Sequence, residues 1–141
     1  MDIGWDDLAD RYVQLIKAGP KSQPELTAID DFLGKAASAF PRDSDSALAW
    51  FVAALTEPPR KWFVAKILER VNPVPRILLD PLLMAALGEP NPSANRVFVE
   101  PCVRTFGTQV VKARLNELAM QSEESDGDSL ANALYWVGRS R

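Results

Sequence analysis

The chain has 141 residues, of which 47% are hydrophobic and 25% charged, a balance typical of a folded protein that buries one domain's core. It contains no histidine, which excludes Ser-His-Asp and Cys-His nucleophile systems and the common zinc sites. Its longest apolar run, nine residues at 47–55, is far too short to span a bilayer, and the acidic N-terminus predicts no secretory signal.

The first 46 residues predict two helices that are separated by a Gly-Pro stop. The apolar face of the first helix consists of Trp5, Leu8, Tyr12, Leu15 and Ile16. Gly19 and Pro20 end this helix, since glycine followed by proline is a common helix stop. Ser22 is the expected N-cap of a second helix, which reaches Phe40 and is followed by a polar loop at 42–46.

Two further helices form the first predicted hairpin of the middle region. The third helix is expected over about Ser46–Thr56 and the fourth over Arg60–Val71. The sequence Glu-Pro-Pro at 57–59 forms the turn between them. Asn-Pro-Val-Pro at 72–75 prevents the fourth helix from continuing, because each proline removes a backbone donor and restricts the residue before it.

The start of the fifth helix has two interpretations. In the first, Arg76–Leu79 form one short turn before Asp80 caps a new helix with Pro81 at its first position. In the second, the same residues belong to a single helix that is kinked at Pro81. The sequence alone does not decide between them.

The sixth helix is predicted from a serine cap and a glycine stop. Ser93 is expected to cap a helix that runs through Phe106, and Gly107 ends it. Pro101 lies inside this helix and should bend it, since proline removes one hydrogen bond. Cys102 falls on the apolar stripe, so we expect a buried and unreactive thiol.

The last two helices enclose the only low-complexity stretch of the sequence. Thr108 opens a seventh helix, whose expected core residues are Val111, Leu115, Leu118 and Ala119. The acidic stretch at 122–129 is a predicted loop, and it lacks the twelve-residue ligand spacing of a calcium site. The eighth helix is expected over Leu130–Gly138.

An internal repeat links these helices. Residues 51–58 read FVAALTEP and residues 83–90 read LMAALGEP, which are identical at five of eight positions. An apolar stripe with i, i+3, i+4, i+7 spacing recurs in four helices and begins at Ile29, Val64, Val99 and Leu130. Its steps of 35, 35 and 31 residues point to an α-solenoid, so we predict that Val64, Val99 and Leu130 are buried at equivalent places.

The repeated motif Leu-x-Glu-Pro, followed by basic residues, resembles the HEAT and HEAT-like repeats. It occurs as Leu55–Pro58 before Arg60 and Lys61, and as Leu87–Pro90 before Arg96. The resemblance implies an all-α, right-handed α-solenoid of about four helical hairpins and roughly eight helices, forming one domain. Its units are approximately 1–41, 42–72, 73–107 and 108–141. Such proteins mostly present a concave binding surface lined by the second helix of each hairpin, and a minority bind DNA, some of them as alkylpurine glycosylases.

The candidate binding residues lie on the side opposite the core stripe. Trp62 is about 160° from Val64 around the fourth helix, and Lys66 and Arg70 follow it at i+4 and i+8. With the corresponding places of later hairpins, the predicted surface consists of Trp62, Lys66, Arg70, Arg104, Tyr135 and Trp136. Aromatic and arginine side chains are typical of binding hot spots. Trp62 itself either packs against the neighbouring repeat or faces a ligand.

These features predict a non-enzymatic protein-binding or regulatory module without cofactor or metal. The lone cysteine favours the cytoplasm, and we expect a monomer or weak dimer that binds a protein or peptide, with an acidic one suiting the basic surface. The alternative is a nucleic-acid-binding module, because residues 59–121 carry a net charge of +4 and Lys61, Arg96 and Arg114 would grip phosphates. The net charge of −3 counts against this alternative.

Overall fold

The computed structural model describes residues 4–121 and 127–139, and over these ranges the chain consists of helices and the turns between them. No strand occurs in either range. The prediction of an all-α fold is therefore confirmed. Within the same ranges, no helix is both long enough and apolar enough to cross a membrane.

Eight α-helices and one short 3-10 turn make up the described chain. The helices are α1 (Trp5–Lys17), α2 (Gln23–Ser38), α3 (Asp45–Ala54), α4 (Pro58–Leu68), α5 (Leu79–Leu87), α6 (Arg96–Phe106), α7 (Thr108–Gln121) and α8 (Gly127–Arg139). The 3-10 turn covers Arg76–Leu78. The chain divides into two compact units, a first unit at Met1–Val71 and a second unit at Asn72–Arg141.

Helix α4 is the centre of the first unit, because it packs against α1, α2 and α3. Its Phe63 is fully buried. The Phe63 ring centroid lies 5.6 Å from that of Tyr12 on α1, 6.3 Å from that of Phe32 on α2 and 6.4 Å from that of Trp50 on α3. These separations are those of interacting aromatic pairs, so one side chain of α4 joins all three neighbouring helices.

The N-terminal caps of α2 and α3 show how local sequence starts these helices. Ser22 caps α2 as predicted, with the Glu25 backbone N–H donating to Ser22 Oγ over 3.3 Å and the Glu25 carboxylate accepting from the Ser22 N–H. Helix α3 begins at Asp45, slightly earlier than expected. The reason is that Ser44 acts as the cap, its Oγ accepting from the Ala47 N–H over 3.3 Å.

The buried face of α1 is shorter than the sequence predicted. Trp5, Ala9 and Tyr12 are buried, and Leu15 is half-buried. Ile16 is 46% exposed, so the apolar face of α1 is not covered along its whole length. Ile16 continues the face of Trp5 and Tyr12, but it lies one turn beyond Tyr12 and next to the last residue of the helix.

In the second unit each of the four helices contacts the three others. The fully buried side chains of this core include Leu82, Leu83, Ala86, Phe98, Val99, Cys102, Val111, Leu115 and Ala133. Mutual contact among four helices is compatible with stacked hairpins and equally with a four-helix bundle. The solenoid and its four units therefore stay a prediction.

The repeated stripe is buried at two of its three tested positions. Val64 and Val99 are fully buried, as predicted. Leu130 is only half-buried, so its prediction was wrong. The core face of α8 is centred on Ser129, Ala133 and Val137, all buried and spaced by four residues, which leaves Leu130 at the margin of that face.

The start of α5 combines parts of both interpretations. The short turn is present, but it runs directly into the helix, which begins at Leu79. Asp80 is therefore inside the first turn of α5 and does not cap it. Pro81 is tolerated at this place because the first-turn N–H groups of a helix have no intrahelical acceptor.

Helix α6 starts later than expected and ends as expected. Ser93 does not cap it, because the helix begins only at Arg96. Ser93 lies in the turn before the helix, where its N–H donates to Asn91 Oδ1 over 3.0 Å. Pro101 lies inside α6, and the bend expected there stays a prediction. Gly107 ends the helix with φ 91° and ψ 158°, a conformation essentially restricted to glycine.

Helix α7 follows Gly107 immediately and matches its prediction well. It begins at Thr108, and Val111, Leu115 and Leu118 are buried while Ala119 is half-buried. Most of the acidic loop predicted at 122–129 lies outside the described residues. Its last part does not form a loop, since α8 already begins at Gly127.

The Cys102 thiol is fully buried, and burial raises its pKa far above the usual range. We expect it to react with a thiol reagent about 1,000-fold or more slowly in the native protein than in denaturant, because reaction requires opening of the second unit. Mass spectrometry of timed, quenched labelling reactions measures both rates. Labelling at similar rates would contradict the core position of α6.

Candidate binding surfaces

The six residues predicted to form one binding surface belong to both units. Trp62 and Lys66 lie on α4 in the first unit, and Arg70 lies in the turn that follows this helix. Trp62 is half-buried, so the choice between packing and ligand binding stays open. The Lys61 Nζ atom lies 5.0 Å from the Trp62 ring centroid, which places a cation from the neighbouring residue against the indole.

The two cations beside Trp62 are paired within the first unit. Lys66 Nζ lies 3.5 Å from Glu69 Oε1. Arg70 donates from Nη2 to Asp30 Oδ1 on α2, and its Nη1 lies 3.9 Å from Glu69 Oε2. The predicted basic surface is thus largely neutralised by its own acids, and Arg70 joins the turn after α4 to α2.

The other three predicted residues, Arg104, Tyr135 and Trp136, belong to the second unit. Arg104 is exposed on α6. Tyr135 and Trp136 are neighbours on α8, where their ring centroids lie 4.9 Å apart at an interplanar angle of 76°. The aromatic pair is therefore an edge-to-face pair rather than a flat stack.

Two further arginines complete a cluster around this pair, and together these four side chains form the arginine–aromatic patch: Arg96, Tyr135, Trp136 and Arg139. The Arg96 guanidinium carbon lies 5.2 Å from the Trp136 ring centroid. The Arg139 guanidinium carbon lies 5.2 Å from the Tyr135 ring centroid. Each ring thus has a cation within cation–π distance.

Local sequence and helix packing each contribute part of the arginine–aromatic patch. Tyr135 and Arg139 are four residues apart on α8, so they share one face of that helix. Trp136 is fixed by its indole Nε1, which donates to the Pro92 carbonyl oxygen over 2.7 Å. Arg96 opens α6, and its guanidinium is paired with the Glu100 carboxylate one turn later.

The arginine–aromatic patch is accessible and has one unpaired charge. Tyr135 is 52% exposed, and 54% of the Arg96 side chain is exposed. Arg139 is exposed and forms no ion pair with any side chain of 4–121 or 129–139. Because Glu100 balances Arg96, the arginine–aromatic patch carries about one net positive charge, located at Arg139.

A different polar cluster joins three helices of the first unit. Asp6 Oδ1 accepts from Trp50 Nε1 over 2.8 Å and from Arg60 Nη1 over 2.6 Å. These donors, Trp50 first, lower the Asp6 pKa. Arg60 also lies 3.7 Å from Asp10 and 3.6 Å from Glu57, beside a groove of about 650 Å³ between α1 and the start of α4.

The second unit has a comparable ion pair between α5 and α7. Arg114 donates from Nε and Nη2 to both Asp80 oxygens, over 2.8 Å and 2.7 Å, and Glu117 lies 3.0 Å from its Nη1. The bidentate bond from Arg114 lowers the Asp80 pKa and raises that of Arg114. Three of the charged residues that line the adjoining groove of about 410 Å³, namely Asp80, Arg114 and Glu117, therefore already satisfy one another.

These pairs also bear on metal and phosphate binding. Among the described side chains, no group of three or more histidine, cysteine, aspartate or glutamate residues could hold a metal ion. Arg96 and Arg114, which the alternative prediction assigned to phosphates, are both committed to carboxylates. Sequence reasoning missed Arg139, although its i+4 spacing from Tyr135 was a visible signal.

No family model, no curated protein and no solved structure matches this chain. The resemblance to HEAT-like repeats thus depends on the repeated motif and apolar stripe alone, and membership of that family stays a prediction.

Proposed function

We propose that this protein is a non-enzymatic protein-binding module, and that the arginine–aromatic patch of the second unit is its recognition surface. The observation that carries the proposal is the exposure of Tyr135, which is 52% accessible although a neighbouring indole and guanidinium hold it in place. Tyrosine, tryptophan and arginine are the residues most enriched at binding hot spots. A partner that covers Tyr135 would gain apolar burial at a site that is already ordered.

Preorganisation supports the same proposal. The Trp136 indole is hydrogen-bonded to the Pro92 carbonyl, and Arg96 is held by Glu100. Side chains fixed before binding lose less rotamer entropy when a partner docks, and this loss is roughly 0.5–1.5 kcal/mol for each mobile side chain. The arginine–aromatic patch therefore has a lower entropic cost of binding than four freely rotating side chains.

The distribution of charge favours a protein partner over a nucleic acid. A phosphate-binding surface needs several unpaired cations that face one way. In the second unit, by contrast, Arg96 and Arg114 are paired with acids. The unit as a whole, Asn72–Arg141, has a net charge of −1.

We also propose that the protein is a regulatory scaffold built of HEAT-like hairpins. It is monomeric or weakly dimeric and has a further contact surface at Trp62, Lys66 and Arg70. Its place is the cytoplasm, where a single cysteine stays reduced.

Substitution of Tyr135 by alanine should weaken binding of a partner peptide by about 10- to 100-fold, because hot-spot truncations cost roughly 1–3 kcal/mol. Peptides selected on the wild-type protein from a displayed random library supply the ligands, and fluorescence anisotropy measures their affinities. Met120→Ala is the matched control, since Met120 is a large apolar residue of the same unit with 88% exposure. Equal affinities for Tyr135→Ala and the wild type would contradict the proposal.

A further inference from the structure

We infer that the partner segment bound by the arginine–aromatic patch is acidic: a glutamate or aspartate carboxylate pairs with Arg139 while a neighbouring apolar or aromatic side chain packs on Tyr135. This inference rests on the proposed function and adds the chemistry of the partner. It follows from two observations: Arg96 has a carboxylate partner whereas Arg139 has none among the described side chains, and the Tyr135 ring beside Arg139 is exposed.

The two arginines of the arginine–aromatic patch differ in their charge balance. The Arg96 guanidinium already has a carboxylate partner in Glu100, so its charge contributes little to a docking partner. Arg139 contacts the Tyr135 ring and has no carboxylate partner among the side chains of 4–121 and 129–139. The positive charge of Arg139 therefore remains available to attract an anionic group of a partner.

The position of Arg139 also suits a carboxylate geometrically. Its guanidinium lies over the Tyr135 ring, with 5.2 Å between the guanidinium carbon and the ring centroid. A guanidinium in this position keeps N–H donors at its edge, and its planar fork matches the two oxygens of a carboxylate. Contact with the ring limits its motion, so the fork is partly oriented before a partner arrives.

Docking would strengthen both interactions of Arg139 together. An exposed cation–π contact contributes little, but it grows when a partner removes water from the cation and the ring. A carboxylate bond gains by the same exclusion of water. A side chain that packs on the exposed half of Tyr135 provides that exclusion, so the carboxylate and the apolar residue should be close together in the partner.

The charge around the arginine–aromatic patch disfavours the other classes of ligand. A basic segment would meet the unpaired charge of Arg139 and be repelled. A single-stranded nucleic acid stacks its bases on ring faces and needs a row of free cations. Here the Tyr135 and Trp136 rings meet edge to face, and Arg96 is neutralised by Glu100.

Two ten-residue peptides labelled with fluorescein test the inference: the acidic GSEEWLEESG and its uncharged counterpart GSQQWLQQSG. We expect the wild-type protein to bind the acidic peptide at least about tenfold more tightly at low salt, because charge-assisted hydrogen bonds are the stronger class. Arg139→Gln should abolish this preference, and Arg139→Lys should retain part of it, since lysine keeps the charge but not the fork. Lys112→Gln, which removes an exposed charge on α7, should leave the preference unchanged.

The outcomes separate this inference from the proposed function. If Tyr135→Ala weakens both peptides while Arg139→Gln keeps the preference for the acidic one, the acidic-partner inference is overturned and the proposed function stands. The acidic-partner inference is also overturned if the wild type binds both peptides equally or binds an oligothymidylate more tightly than the acidic peptide. It is overturned as well if the wild type binds neither peptide while the binding of library-selected peptides still depends on Tyr135. The inference is supported if Arg139→Gln loses the preference for the acidic peptide while Lys112→Gln retains it.

Discussion

Replacement of Phe63 by alanine should lower the free energy of unfolding of the first unit by about 3–5 kcal/mol, the range seen for phenylalanine truncation in protein cores. Phe63 is fully buried and contacts aromatic side chains from α1, α2 and α3, so the change leaves a cavity at the point where all four helices meet. Since whole domains are stable by only about 5–15 kcal/mol, the first unit should come close to unfolding.

Hydrogen exchange measured by mass spectrometry checks this prediction, because it follows peptides of each unit separately. Phe32→Ala is the matched control, since it makes the same chemical change in the same unit at a half-buried position. We expect Phe32→Ala to cost clearly less than Phe63→Ala. Equal losses for the two variants would mean that α4 is not the centre of the first unit.

Replacement of Gly107 by alanine should destabilise the second unit by about 1–3 kcal/mol, the cost of holding a residue with a side chain in a backbone region that belongs to glycine. Gly107 has φ 91° and ψ 158°, and it is the single residue between α6 and α7. Apart from Gly107 and its two chain neighbours, no residue has an atom within 4 Å of the position that an added Cβ would occupy. The expected loss is therefore backbone strain and not a steric clash.

Gly34→Ala provides the opposite case and so tests the cause. Gly34 lies inside α2, has ordinary helical backbone angles and also has open space at its Cβ position. Alanine should stabilise the helix there by about 0.5–1 kcal/mol, because glycine is the poorer helix former. Denaturant unfolding of both variants measures the two signs. A neutral Gly107→Ala would show that the junction relaxes without cost.

Local sequence signals predicted the fold best where the decisive contacts are local. The Ser22 capping box and the Gly107 stop involve residues within four positions of one another, and both are present. The apolar stripe correctly identified Val64 and Val99 as buried. It failed at Leu130, because periodicity gives the apolar face of a helix but not which part of that face its neighbours cover.

In the candidate site, too, contacts within one helix were predictable and contacts between helices were not. Tyr135 and Trp136 were selected from their equivalent positions in the predicted repeat, and the contact of Tyr135 with Arg139 follows from helical spacing. The contacts of Trp136 with Pro92 and Arg96 were not predictable, because they depend on how α6 packs against α8. Partners 40 residues apart also could not be read from periodicity, as for the bond between Arg70 and Asp30 that removes a cation from the predicted surface.

The boundary between Val71 and Asn72 has a consequence for the order of events during synthesis. The helices of the first unit form their core among themselves, while the 70 residues of the second unit are still to be added. At roughly 5–20 residues per second this addition takes about 4–14 s. Helical domains with mostly local contacts fold in microseconds to milliseconds. The core around Phe63 can thus close on the ribosome before the second unit is complete, so the nascent chain need not expose both apolar cores at once.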